Sequence, residues 1–327
     1  MFKNPILAFV CLCLVAGGAQ AQGANHEFVG TARKTLQNYE KAVITLSEVL
    51  KIEAQGREQE IKLQCAAAII DPSGLAVASL GNVNPHGKIR VGGVRTLELE
   101  TQVQEVKYRL GDGTELAARV VLKDEDLDLA FLALQKPLND TTRAQIASIP
   151  LSDAAAQVQP MDATILIGRT NEDLNYTPLL IEGRILGILT QPRNCYIADG
   201  GVLGMPVFGE NGRLLGLVCR CVKNEGSSSG SLRMQTVPTQ LILPAADIAR
   251  LVPQAKEEAK KAAEADKKAA TKKKAADGKK KPDDSKKPDG KKDAARSDAV
   301  KSDAKSDAVK SDAKTDAPKK DAGEQKK

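Results

Sequence analysis

Few side chains in this 327-residue sequence could do chemistry. It has two histidines, His26 and His86, and six cysteines, of which Cys11 and Cys13 fall in the first twenty residues. The other four thiols, Cys65, Cys195, Cys219 and Cys221, could bind a soft metal, form disulfides or pack as small hydrophobes. Zinc-binding cysteines recur at CxxC spacing, and the chain has none. With so few histidines, no metal is expected, and no motif calls for a cofactor. Cys219 and Cys221, two apart in a predicted strand, point to one face and are badly placed to bridge each other. Any disulfide would therefore join either of them to Cys65 or Cys195, and four buried thiols are the alternative.

The elements that must position these groups are short strands. Val, Ile and Leu recur in runs such as AVITLSEVL, IKLQCAAAII, LDLAFLAL, ATILIG and LIEGRILGIL, separated by turn residues. Asp71–Gly74 (DPSG) suits a type I turn, while Asp112-Gly113 and Asn211-Gly212 read as two-residue hairpin turns. Many short strands over about 210 residues argue for barrels or sandwiches rather than a parallel sheet. A lead-in over residues 22–40 carries one or two helical turns. PAADIARLVPQA, from Pro244, opens a short closing helix with Ile248, Leu251 and Val252 on one face.

Both ends of the chain read differently from its middle. Lys3, the apolar run Ile6–Ala16 and Ala19-Gln20-Ala21 form the pattern of a secretory signal, residues 1–21, with a run too short to span a membrane. Cleavage near Gln22 would leave an exported protein, periplasmic or extracellular, with no transmembrane anchor. Residues 255–327 are low in bulky apolar side chains, begin with a Lys/Ala/Glu-rich stretch open to transient helix and become a repeat of SDAVK and SDAK units, a composition that favours disorder. That segment holds 24 of the 48 Lys+Arg and 16 of the 42 Asp+Glu, a net +8 that leaves −2 for the remainder. A nearly neutral globular part without Trp gives no electrostatic or stacking case for specific nucleic-acid binding.

Four blocks together resemble the trypsin-like protease domain of the HtrA/DegP type. They are KAVITL, AAAIIDPSGLAVASLGNV, YRLGDGTELAARVVLKDEDLDLAFLAL, and GGVLGMPVFGENGRLLGL with LILPAADIARLV behind it. The resemblance implies an all-β, trypsin-like double β-barrel over residues 41–254, the barrels meeting near residues 140–160, closed by the short C-terminal helix. It stops short of that family's PDZ domain, in whose place the basic tail stands. It also assigns the triad slots, and two are empty of chemistry. Asp128 matches the aspartate, the histidine slot falls on Gly81, and the serine slot holds Leu203. Gly201 and Leu203 keep backbone N–H groups at the vestigial oxyanion loop, with Gly204 beside them, but Met205 replaces a second glycine. Leu203 and Met205 are expected to fill the cleft from within.

A Ser-His-Asp site needs a hydroxyl, an imidazole to take its proton and a carboxylate to fix the imidazole. His86, in NPHGK, would have to move and would still lack a nucleophile. Ser79, Ser227–Ser229 and Cys195 are the candidates, and the serine run lies in a flexible turn that suits rigid catalysis badly. The expectation is a pseudoprotease, a binding or scaffold module for peptides or envelope proteins. Peptide pairing to a strand edge at Leu217–Val222 is one route. The alternatives are an active serine endopeptidase with non-standard residues, and a tail-driven binder of anionic surfaces acting through Lys267–Lys281.

Overall fold

The structure, a computed structural model, describes residues 26–54, 57–85, 87–91, 95–151, 158–191, 193–220 and 241–277. The expected signal, His86, Cys221, Ser227–Ser229 and the tail beyond Asp277 lie outside them. Helix α1 (residues 26–39) leads into strands β1 (Val43–Ala54), β2 (Arg57–Ile69) and β3 (Ala76–Ser79), then the single-turn helix α2 (Leu80–Val83). Strands β4 (Gly87–Val91), β5 (Arg95–Arg109), β6 (Glu115–Asp124) and β7 (Leu129–Leu134) complete the first half. After helix α3 (Asp140–Gln145) come β8 (Ala163–Arg169), β9 (Pro178–Leu189), β10 (Cys195–Ala198), β11 (Pro206–Gly209), β12 (Leu214–Cys219), β13 (Leu241–Pro244) and helix α4 (Ala245–Asp277).

Two antiparallel barrels result, as the strand-rich sequence and its resemblance imply. The first runs β1-β2-β3-β7-β6-β5 and closes through β1–β5 pairing, with β4 appended to β5. The second closes in the order β10-β13-β12-β11-β8-β9. Alternation explains the first barrel's interior. Ile44, Leu46, Glu48 and Leu50 share one face of β1 and are all buried, among Cys65, Ala67, Ile69, Val106, Tyr108 and Leu132. A carboxylate thus takes a place the pattern reserves for a hydrophobe. Another core cluster, including Val43, Val77, Phe131, Ile165, Phe208, Leu243 and Ile248, takes residues from both barrels and from α1 and α4.

The turns at Asp112-Gly113 and Asn211-Gly212 are three-residue loops rather than two-residue ones. Leu110 N–H bonds Thr114 O (2.9 Å) and Gly209 N–H bonds Arg213 O (2.9 Å), so each loop has three residues between the bonded pair. The glycine stands last in each at φ +84 and +73, the left-handed position a type I turn plus bulge requires. The turn at Asp71–Gly74 forms as expected, Gly74 N–H bonding Asp71 O at 3.0 Å.

Disorder from residue 255 is corrected as far as Asp277, because α4 is a 33-residue helix. Alanine, lysine and glutamate, poor at building a core, are the best helix formers. Glu257 and Glu258 pair with Lys261 at 3.2 and 3.0 Å, the spacing that supports an exposed helix. The helix is also docked. Ala255 is fully buried, Lys256 pairs with Asp71, and Arg119 of β6 holds Asp266 with both guanidinium nitrogens. Since α4 begins at the second barrel's last strand and reaches β6, it straps the barrels together.

A second link is Arg169, at the end of β8. Its Nε donates to Val43 O (2.6 Å), Nη1 to Tyr176 O (3.0 Å) and Nη2 to Glu40 O. Tyr176, at φ +52 and nearly buried, lies under the Arg109 guanidinium (5.1 Å to the ring centre) and accepts from Gln64 Nε2 (3.1 Å). The loop between β8 and β9 therefore plugs into the first barrel.

Candidate functional site

Asp128, expected at the triad's aspartate position, is held by the fold as a buried anchor. It precedes β7 at φ +57, a left-handed conformation that aspartate tolerates better than most residues. Its Oδ2 accepts from Ser79 Oγ (2.5 Å) and from Arg220 N–H (2.6 Å), and its Oδ1 accepts from Gly81 N–H (2.7 Å). The Asp128 carbonyl accepts from Leu80 N–H at 2.9 Å. The end of β3, the start of α2 and the residue after β12 thus converge on one carboxylate by charge-assisted bonds.

Gly81 stands at the start of α2, facing that carboxylate. A Cβ on Gly81 would lie 3.2 Å from Asp128 Oδ1, 3.2 Å from Arg220 Cζ and 3.3 Å from Arg220 Nη1. The Arg220 guanidinium therefore occupies the ground into which a side chain at residue 81 would project. Sequence reasoning missed Arg220, which sits between two cysteines in CRC with no motif to mark it. Only β12's pairing with β13 and the closing of the barrel carry it to Asp128.

Leu203 and Met205 turn inward. They are 7 % and 5 % exposed and pack with Leu166, Ile185, Val207 and Val218 of the second barrel, joined by Ala66 of the first. Burying side chains of this size stabilises the fold by roughly 2–3 kcal/mol each. The loop carrying them presses on β2. Gly204 has φ +88, and a Cβ there would run into the Ala66 carbonyl oxygen, so this loop glycine is required by backbone contact. Asn82 Nδ2 donates to Leu203 O (3.2 Å), a further tie across the barrels. Gly204 N–H bonds Val218 O (2.7 Å) and Met205 N–H bonds Val202 O (3.1 Å). Among the described residues, the N–H groups of Gly201 and Leu203 have no acceptor.

The other candidates scatter. Ser79 is fully buried and its hydroxyl is committed to Asp128, so it is a support for the carboxylate and not an accessible nucleophile. His26 is exposed on α1. The bridge considered for Cys65 is not made. Its thiol faces the first barrel's interior and donates to Glu48 Oε1 (3.7 Å), whereas Cys195 and Cys219 are buried on strands of the second barrel. Burial pushes the Cys65 and Cys219 thiols well up. Burial likewise raises the Glu48 carboxyl to about 8, against a smaller opposing effect of the Cys65 hydrogen bond. No three His, Cys, Asp or Glu side chains among the described residues are grouped to hold a metal ion.

The strand edge considered at Leu217–Val222 is closed where it can be seen. Leu217 pairs with Pro206 and Leu243, and Val218 exchanges hydrogen bonds with the loop at Gly204 and Met205 (2.7 and 2.9 Å). An incoming strand has no free partner there.

The profile of the trypsin-like peptidase domain matches residues 31–217, more than half of the chain, and the chain belongs to that family. Among solved structures, it is similar to an HtrA-type protease, AlgW, in a variant form with a tripeptide. The two are 14% identical with a TM-score of 0.45, and the match covers 68% of this chain and 62% of that one. A search of curated protein sequences finds no match. No helix among the described residues is long and apolar enough to cross a membrane.

Proposed function

We propose that this protein is an exported, catalytically inactive member of the trypsin-like peptidase family, which binds peptide or protein segments in the cell envelope without cleaving them. The observation that carries this reading is Arg220 beside Asp128. A guanidinium stays protonated at any physiological pH, so it cannot take a proton from a nucleophile as an imidazole does. Leu203, in the serine's place, has no group to activate. With nucleophile and base both gone, only the weak assistance of an oxyanion site and of binding would remain. Ser79 offers no way round, since its hydroxyl is buried and spent on Asp128. Export is supported by the opening signal pattern in the sequence.

The test incubates the purified full chain with unfolded casein and, separately, with a fluorophosphonate probe. Intact casein and no labelled protein are expected. Cleavage or labelling that disappears on substituting a single serine or histidine would overturn the reading.

A further inference from the structure

The geometry points to a dimer in which two copies of this chain join antiparallel along the free edge of β2, with Ile61 on the two-fold axis. β1 pairs with β2 from Arg57 to Ala68, whereas on the other side of β2 the strand β3 pairs with Ala68 and Ile69 alone. Two hydrogen bonds fix which residues face which side. Ile69 N–H bonds Ala42 O on the β1 side (2.8 Å), and Ile70 N–H bonds Leu75 O on the β3 side (2.9 Å). Main-chain groups alternate along a strand, and β1 and β2 keep one register throughout. Glu58, Glu60, Lys62 and Gln64 therefore turn their N–H and C=O groups away from β1. Among the described residues, no strand pairs with that side of these four. The edge ends at Ala66, whose carbonyl oxygen lies against Gly204.

A charged edge usually resists pairing with another chain. Here both signs are present, in an order that complements itself. A two-fold axis at Ile61 sets Glu60 opposite the partner's Lys62 and Glu58 opposite the partner's Gln64, each on both sides of the axis. The outward-facing residues then meet in closely bonded pairs, each exchanging both backbone hydrogen bonds. Opposite charges facing each other across two strands stabilise the pairing. Moving the axis to residue 60 or 62 sets Glu60 against Glu60 or Lys62 against Lys62, which repels. Exposed Lys62 lies opposite Val49 on β1, so its own strand pair supplies no facing carboxylate. Glu58 is already held by Lys51 at 2.7 Å and needs only a neutral neighbour. On the other face of β2, Ile61 and Leu63 are half-buried, Ile61 opposite the fully buried Leu50. The pairing covers them, with Ile61 against the partner's Ile61. Because the same patch is used by both copies, the assembly closes at two.

Sedimentation velocity of the full-length chain over an about hundredfold range of concentration tests this, and a monomer–dimer equilibrium is expected. Lys62→Glu and Glu60→Lys should each weaken the dimer about tenfold, as two like-charged pairs replace two opposite ones. Glu60→Lys combined with Lys62→Glu should restore it, and the two single variants should pair with each other when mixed. Both side chains are exposed, so circular dichroism should show the same fold in every variant. Mild oxidation should link two copies of Ile61→Cys, because residues opposite each other in a non-bonded pair stand at disulfide distance. Gln59→Cys, displaced from the axis, should not cross-link. A monomer at every concentration, open-ended polymers, a dimer unmoved by the single reversals or not restored by the double one, or equal cross-linking of the two cysteine variants would overturn the proposal.

Discussion

Glu48→Gln should make the fold less sensitive to pH. Glu48 points into the first barrel, 1 % exposed, with one oxygen meeting the Cys65 thiol and the other, Oε2, without a hydrogen-bond partner. Burial raises its carboxyl from 4.5 to about 8, so the folded protein keeps it protonated where the unfolded chain has ionised it. The folded state then binds the extra proton, and stability falls as pH rises through that interval. Below pH 4.5 both states are protonated and the group adds no pH dependence; above about 8 the full loss has been taken. Each pH unit between costs about 1.4 kcal/mol, so the interval caps the loss at about 5 kcal/mol, and relaxation around the site should leave about 3. Urea unfolding at pH 5, 6, 7 and 8 of the native chain and Glu48→Gln measures it. Other titrating groups are common to both proteins, so the difference between the two curves isolates Glu48. The native chain should lose stability relative to the variant as pH rises. Parallel curves would refute the reasoning, because they would mean that the carboxyl ionises as freely in the barrel as in water.

Two further outcomes concern the links between the barrels. Arg169→Ala removes three hydrogen bonds to carbonyls at Glu40, Val43 and Tyr176 and should destabilise the fold by about 3–5 kcal/mol, read as a lower urea midpoint. A change below 1 kcal/mol would show that water replaces the guanidinium at no cost. Arg119→Ala frees Asp266 from β6, and hydrogen exchange should then speed up in α4 beyond residue 262 while the segment around Ala255 stays protected. Equal exchange in both proteins would mean that α4 stands without its anchor.

The strands were legible in the sequence because alternation and turn residues act over a few positions. Ile44, Leu46 and Leu50 mark the buried face of β1 by spacing alone, and Gly74, Gly113 and Gly212 take the positive φ that their turns need. The loop lengths at Gly113 and Gly212 were misjudged by one residue, since a bulge is invisible in a dipeptide. The length of α4 was underestimated for another reason. A Lys/Ala/Glu-rich start too poor in bulky residues to form a core suggests transient helix at most, but its residues favour helix and β6 offers Arg119 as an anchor. Asp128, Gly81, Leu203 and Met205 were all named from the chain, and the structure brings Asp128 and Gly81 together with Leu203 tied to their neighbour Asn82. Arg220 was not, and neither was the service of Ser79 to Asp128.

What the amino-acid sequence by itself determined is which side chains stand at the positions that the resemblance assigns to the triad, Gly81, Asp128 and Leu203. No arrangement of the chain can put a hydroxyl on Leu203 or an imidazole on Gly81, so that statement needs no coordinates. What surrounds these positions was decided only by the tertiary structure. Arg220 follows Leu203 by seventeen residues and Asp128 by ninety-two, and nothing local relates them. Barrel closure sets β12 beside β13 and brings its end against β7 of the other barrel, where the Arg220 N–H bonds Asp128 and the guanidinium passes over Gly81. Side-chain identity is a local property, whereas the company a side chain keeps depends on pairings between distant strands.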